Sequence, residues 1–461
     1  MNGSSARRRH ILIVGGGYVG MYTAYRLERK LRPHEATITV VDPNPCMTYQ
    51  PFLAEAAAGS IDARHVVIPL RTVLKRARVV TAEVTSIDHD RRAAKLIPVE
   101  GQATEMRYDI LVMAVGSVAR TAPVPGLAEQ AVGFHTVGEA IHLRNHVLSR
   151  LDVAASTDDL ERRRRALTFL FVGGGYAGVE ACAELEDMTR YAMRYYPELS
   201  PADMHWVLVD RAARILPEVS LTMSAYAARQ LAERNLDLRL HTFVESVAGG
   251  VAVLSDGTHF ETDAVVWTAG VAPHPLLVRT DLPLDGNGRL ACHSDLRVIG
   301  ADNAYSAGDC ASVPDLSSSA EAGACCAPTA QHAVRQARTL ARNITASLRS
   351  GELKAYRHAD AGSVGSLGLH KGVAEVYGVR MRGILAWFLH RTYHVSRVPT
   401  FNRKVRIVAD WTLALVFRRE VVSLGRPQQP GRQWELLAGQ LRMVPHDAPA
   451  GARAPAHERP R

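Results

Sequence analysis

A chain of 461 residues with 47% hydrophobic and 22% charged side chains is too long for one ordinary core and too apolar to be disordered; about three packed units are expected. The formal charge of +9 favours anionic partners such as nucleotides or acidic lipid, but the basic residues are scattered or in short runs such as Arg162 to Arg165, so no nucleic acid partner is expected. Six cysteines without a C-x-x-C pair point to a reducing cytosol, Met1 to Arg9 lacks a signal segment, and no stretch approaches 18 uncharged apolar residues, so no membrane-crossing helix is expected.

The first element is an apolar strand, His10 to Val14, leading through VGGGYVG into an apolar-periodic helix that reaches Arg29. Gly15, Gly17 and Gly20 satisfy G-x-G-x-x-G. The first glycine permits the tight turn, the second lets a pyrophosphate approach the backbone, and the third lets helix and strand pack closely. Phosphate charge then rests on free N–H groups at the helix start. Strand Thr37 to Asp42 follows, and Asp42 is placed to accept hydrogen bonds from ribose hydroxyls. Asp109 to Ser117, DILVMAVGS, reads as a buried strand that breaks at a small-residue turn containing Gly116.

The pattern then repeats. Leu167 to Asp187 contains VGGGYAG, with Gly173, Gly175 and Gly178 in the same spacing, and the acid Asp210 ends the strand His205 to Asp210. This acid comes later than in the first copy, and the excess is assigned to Met188 to Ala202. A carboxylate at the ribose 2′-hydroxyl favours NADH over NADPH, a choice that the adjoining Arg211 softens. Asp263 to Val271, DAVVWTAGV, is a second buried strand with a small-residue turn at Gly270, and Asn303 to Asp309, NAYSAGD, brings Gly308 and Asp309. A helix is expected from Thr329 to Ser347. One glycine fingerprint is weak evidence; two in one chain imply two nucleotide folds with parallel sheets.

From about Glu352 the strand-turn-helix order weakens. Asn402 to Phe417 places Val405, Val408, Trp411 and Leu415 at helical spacing, flanked by Arg403, Lys404, Arg406, Arg418 and Arg419. With Trp387 and Phe388 nearby, this suits a helix lying on an anionic membrane surface; the alternative is a helix packed on its own core or on a second subunit. The tail Pro445 to Arg461 is expected to be disordered.

With both fingerprints, both small-residue turns and the AGD element in this order, the chain resembles the pyridine nucleotide and FAD dependent oxidoreductases, and within them the type II NADH dehydrogenases, single-subunit non-proton-pumping NADH:quinone oxidoreductases. The resemblance spans Arg8 to Gly425 and rests on TYQPFLAEAAAG (Thr48 to Gly59), GGGYAGVEACAEL (Gly173 to Leu185), Ala307 to Asp309 with Ala327 to Gln331, and Gly365 to Arg419. It implies an α/β fold of two Rossmann-type domains plus a C-terminal membrane-associating segment. The FAD domain is discontinuous (8–125 and 285–350), the NADH domain inserted (126–284), and 351–425 forms the interface.

The resemblance also implies roles. Gln50 and Pro51 lie near the flavin with Ala330, Asp309 binds its ribityl or pyrophosphate region, and a segment beginning near Pro328 starts a helix that aims its half-positive end at the isoalloxazine. Glu180 orients NADH or relays a proton, and Gln331 hydrogen-bonds a quinone carbonyl; complementing the helix dipole and packing against a cofactor are their plain structural alternatives. Hydride passes from NADH to FAD and two electrons to a quinone, menaquinone or ubiquinone, at a peripheral site on the cytoplasmic side of the cell membrane. A second copy of the chain is a further partner it allows.

One departure stands out: the family reads A-Q-x-A-x-Q where this chain has Ala330, Gln331, Ala333 and then Arg335, with Gln336 one residue late. The feature favours a soluble flavin reductase with another acceptor, such as a redox protein. Cys46 stands alone after the first acid, which argues against a redox disulfide. Cys182 with Cys325 or Cys326 leaves a sulfide:quinone reductase-like enzyme as a relative to weigh, although free cysteines are mostly small buried hydrophobes. A nucleotide-binding regulator without turnover is the reading from a different class.

Overall fold

The computed structural model describes residues 8–317, 323–358, 362–417 and 419–423. Arg418 and the tail from Pro445 lie outside the described residues.

Apolar runs such as Ile11 to Val14 leave no polar face, so these strands belong in parallel sheets covered on both sides. Strand Arg9–Val14 lies between Ala36–Asp42 and Ile110–Met113, all parallel. Arg78–Asp88 adds beyond the first of these and Ala304–Ser306 beyond the second, again in parallel. The segment NAYSAGD thus returns to the sheet that the first fingerprint began. Helix α1 (Tyr18–Lys30) follows the first glycine turn, and a short helix α2 (Leu53–Ala57) follows the turn at Gln50.

Helix α3 (Val137–Ala155) introduces the second sheet, a five-stranded parallel array ordered Ala131–Gly133, Ala264–Trp267, Thr168–Val172, His205–Val209 and Leu236–Arg239. Helix α4 (Tyr176–Ala192) leaves the second glycine turn. The extra length before strand His205–Val209 is spent on the end of α4 and on two short turns, Met193–Tyr195 and Pro201–Asp203. Each sheet organises its own core. Between them, strands Ser117–Ala119 and Val271–Pro273, which leave the two small-residue turns, pair with each other in an antiparallel ribbon.

Beyond helix α5 (Ala330–Leu348) the structure departs from the expected loss of order. Gly362–Ser366, Gly372–Val376 and Val379–Arg382 form an antiparallel meander, followed by helices α6 (Gly383–Arg397) and α7 (Phe401–Val416). The first two strands are rich in glycine and small residues and lack the apolar alternation that announces a sheet, and the third, VRMR, is only four residues long.

The stripe read on α7 also divides differently. Val405, Val408 and Leu415 are exposed as expected, but Trp411 turns inward, donating from Nε1 to Glu55 Oε2 at 2.8 Å. Trp387 is buried while its neighbour Phe388 is exposed. The reason is charge. Arg391 is buried against Glu55 at 2.9 Å, and its guanidinium is sandwiched between Trp387 and Trp411, 3.9 and 4.7 Å from the ring centroids. A cation withdrawn from water takes both indole faces as well as the carboxylate. Fully buried Ile407 completes the inward face of α7. Ile407→Ala should cost about 2–4 kcal/mol through the cavity it leaves. Faster tryptic cleavage at Arg403, Lys404 and Arg406 is the expected sign; an unchanged digestion rate would mean that α7 is not held by this contact.

Candidate functional site

Both fingerprint turns build the same cradle. Gly15 and Gly173 adopt left-handed backbone with φ of +102° and +118°, where a side chain is strained. A Cβ on Gly20 would lie 1.8 Å from the Gly15 carbonyl oxygen, and one on Gly178 1.9 Å from that of Gly173. On the middle glycines, Gly17 and Gly175, a Cβ would meet nothing within 4 Å. That open face is where a pyrophosphate approaches. Neither α1 nor α4 has a side-chain cap, whereas α3 is closed by a capping box of Thr136 and Glu139. The free N–H groups at the two glycine turns therefore remain for an anion.

Asp42 and Asp210 brace these turns from the adjacent strand, accepting from the N–H of Gly16 and Gly174 respectively. Burial raises the Asp42 carboxyl, while the N–H groups of Gly16 and Asn44 oppose the shift. Each carboxylate oxygen keeps a second lone pair for a ribose hydroxyl. Gly116 and Gly270, at the two small-residue turns, are left-handed with open space around the Cβ position. Asp309 accepts from Ser117 Oγ at 2.7 Å, and the neighbouring Gly308 N–H donates to Gln336 Oε1 at 2.7 Å.

The late glutamine thus has a use of its own. Gln336 faces inward to hold the AGD turn, while Arg335 contacts the His358 ring at 2.8 Å. Gln331, in the first turn of α5, donates from Nε2 to Gly362 O at 3.1 Å. Thr329 caps this helix by accepting from the His332 N–H. Gln50 sits in the turn before α2, with its N–H on Tyr18 Oη at 3.2 Å and its amide against His135; Pro51 follows in the same turn.

Strand Gly362–Ser366 joins this region to Glu180. Gly362 receives Gln331 at one end; at the other, Ser366 donates its N–H to Glu180 Oε1 and its hydroxyl to Glu184 Oε1, both at 2.9 Å. At about 3.3 Å per residue those ends are roughly 13 Å apart. His390 of α6 brings Nε2 to 3.3 Å from Glu180 Oε1, and its buried Nδ1 has no hydrogen-bond partner among the described residues. Burial pushes the Glu180 carboxyl up to about 8 and the His390 imidazole down to about 3. Both shifts favour the uncharged forms. Phe52 packs edge-on against His390 and His394, and Tyr49 Oη donates to His394 O at 3.0 Å.

Sequence reasoning missed Ser366, His390, Glu55, Glu184 and Arg391. The i, i+4 spacing of Glu180 and Glu184 on α4, with His390 and His394 equally spaced on α6, was the available signal.

The family model of the pyridine nucleotide-disulphide oxidoreductases matches residues 9–337. The chain is 30% identical over 399 residues to the type II NADH:quinone oxidoreductase of Staphylococcus aureus, covering 85% of this chain and 95% of that protein. It is 27% identical over 427 residues to the type II NADH:quinone oxidoreductase of Mycobacterium tuberculosis, covering 90% and 89%. The structure of NDH2 from Plasmodium falciparum in complex with NADH shares the fold, with a TM-score of 0.84 at 17% identity over 90% of this chain and all of that one.

The raised Glu180 carboxyl sets a sign for stability. Between its ordinary value of 4.5 and about 8 the unfolded chain releases this proton while the folded chain keeps it, so stability falls as pH rises through that window. The loss is on the order of a few kcal/mol. Glu180→Gln should flatten the decline in thermal midpoint over that range; a slope equal to that of the parent protein would assign the decline to other groups.

Proposed function

Because the chain belongs to the pyridine nucleotide-disulphide oxidoreductase family and, within it, to the type II NADH:quinone oxidoreductases, we propose that it oxidises NADH at the second cradle and reduces a quinone, with FAD held in the first. The doubled cradle, together with the pairing in one ribbon of the strands that leave the small-residue turns at Gly116 and Gly270, is the observation that carries this reading.

The first cradle fits FAD. Gly15, Gly17 and Gly20 take the pyrophosphate against the start of α1, and Asp42 takes the ribose. Asp309 beside Gly308 meets the ribityl side, and Gln50, Pro51, Gly116 and Ala330 line the ring end. The corresponding NADH residues are Gly173, Gly175, Gly178, Asp210 and Gly270. When bound, FAD supplies a two-electron relay between nicotinamide and quinone. The chain's own residues position and protonate. Burial favours the protonated form of Glu180, and the second amide hydrogen of Gln331 is left to orient a quinone carbonyl. Arg335 and Gln336 are committed to His358 and Gly308, so recognition from α5 falls to Gln331.

The cysteines do not favour the sulfide reading. Cys182 is buried in the second core and Cys326 in the first, and burial raises both thiols.

No helix among the described residues is long and apolar enough to cross a membrane. The outward face of α6 and α7 presents Phe388, Phe401, Val405, Val408 and Leu415 beside Arg403, Lys404 and Arg406, which suits an interfacial helix on anionic lipid. This supports a peripheral position on the cytoplasmic face of the membrane, where a lipid-soluble quinone is at hand. Phe401→Asp with Val405→Asp should abolish flotation with anionic vesicles; a variant that floats like the parent would leave this face for a second copy of the chain, which sedimentation would detect.

The cradles are separable by spectroscopy. Gly20→Ala should yield protein lacking the flavin absorbance near about 450 nm, while Gly178→Ala should keep the colour but need at least about tenfold more NADH to bleach it. If wild-type protein takes up no flavin, or its flavin is not reoxidised by a menaquinone analogue after NADH, the assignment fails.

A further inference from the structure

Helix α1 carries a second pattern besides its glycine turn. Tyr22, Tyr25, Arg26 and Arg29 recur at i, i+3, i+4 and i+7, which sets them on one face of the helix, and Lys30 follows at i+8. These five residues line a cleft of about 490 Å³. Helix α5 packs beside α1, and its exposed Arg338 adds to the positive charge felt at Arg26.

The cations of this cleft are not neutralised by their neighbours. Among the described residues no carboxylate forms an ion pair with Arg26, Arg29 or Lys30. Glu28 turns inward and accepts from the N–H groups of Lys75, Arg76 and Ala77, and Glu35 is paired with Arg349. Arg29 is held by a phenol, donating from Nη1 to Tyr25 Oη at 2.8 Å. Arg26 is half-buried, and its buried Nε has no hydrogen-bond partner among the described residues. Burial lowers the hold of that guanidinium on its proton, and the cations of Arg338 and Arg29 lower it further. A donor withdrawn from water among like charges is costly until an anion meets it.

Two guanidiniums and an ammonium at one cleft match the oxygens of a phosphate group, which accept from several directions at once. The position of the cleft in the fold narrows the source of that phosphate. Tyr22 Oη donates at 3.1 Å to the carbonyl of Arg397, the last residue of α6, and the Arg397 guanidinium carbon lies 5.3 Å from the centroid of the Tyr393 ring. Shortly beyond, α7 begins at the exposed Phe401, and Lys404 Nζ donates to Ser396 O at 2.7 Å. The cleft therefore adjoins the face assigned above to anionic lipid, and the inference rests on that assignment. We propose that the α1 cleft is a headgroup site for the phosphate of an anionic phospholipid, so that the first nucleotide unit meets the membrane through one discrete ligand as well as through the apolar face of α6 and α7. A basic pocket beside an interfacial helix holds a lipid headgroup by charge and hydrogen bonds, where a scattered basic surface holds only a diffuse layer of them.

Calorimetric titration of the flavin-loaded protein with dihexanoyl phosphatidylglycerol, kept below its micellar concentration, tests the cleft apart from bilayer binding. The parent protein should bind this lipid saturably, and Arg26→Gln with Arg29→Gln should weaken binding at least about tenfold, the scale of one charge-assisted hydrogen bond. Arg162→Gln with Arg164→Gln, which removes the same charge from the exposed run of the second unit, should leave the affinity within about twofold. If the Arg26 variant loses its flavin, Arg29→Gln alone, at an exposed position, should still weaken binding at least about threefold. Equal losses in the two double variants, or parent protein that binds inorganic phosphate but not the lipid, overturn the proposal. Phe401→Asp with Val405→Asp should bind the monomeric lipid as the parent does; loss of binding there would move the headgroup to α7 and overturn the cleft. Parent protein that binds the monomeric lipid through Arg26 and Arg29 yet does not float with phosphatidylglycerol vesicles would uphold the site and sink the membrane face instead.

Discussion

One steric constraint, imposed twice, fixes the geometry on which the rest depends: the third glycine of each fingerprint passes directly beneath the carbonyl of the first. A Cβ at Gly20 or Gly178 would fall well inside van der Waals contact of that oxygen. Helix and strand consequently meet at backbone distance, and the helix start, with no side chain to cap it, faces outward. The capped helix α3 shows what the same chain does where a helix has only to begin.

The second organising force is the handling of buried charge where the C-terminal elements close on the two nucleotide units. Glu55, Glu180 and Glu184 are all withdrawn from water, and burial raises each carboxyl. They are stabilised differently. Glu55 has a cation and an indole N–H, Glu184 a serine hydroxyl, and Glu180 a backbone N–H with a neutral imidazole beside it. Of the three, Glu55 is the one paired with a guanidinium among the described residues. The meander Gly362–Arg382 brings Ser366 to Glu180 and Glu184 of α4, and Gly365 is a glycine because a Cβ there would strike the Tyr176 ring at 2.6 Å.

What was legible in the sequence was what is local. Gly15 to Gly20 and Gly173 to Gly178 act within six residues, so their spacing states their function, and the acids ending the next strands follow from the pattern. Strand and helix types in both units followed from apolar period. Contacts across long separations were not legible: Ser366 to Glu180, Arg391 to Glu55 and Trp411 to Glu55 each join distant parts of the chain. Trp411 illustrates the cause. Helical spacing placed it in an apolar stripe, but spacing alone cannot tell which of two neighbouring faces meets the protein, and a buried Arg391 decided it. The departure at Arg335 and Gln336 was visible, while its resolution, one side chain to His358 and the other to Gly308, required the fold.

The antiparallel ribbon of Ser117–Ala119 and Val271–Pro273 bears on the order in which the molecule assembles. Strand Ala304–Ser306 must find Ile110–Met113 across roughly 190 intervening residues, a loop whose closure costs on the order of a few kcal/mol in entropy. Once the inserted unit has collapsed and zipped its two ends side by side, the intervening chain is spanned by a short clasp. With those two strands paired, the loop that remains between Ile110–Met113 and Ala304–Ser306 is effectively shorter, and its closure costs correspondingly less entropy.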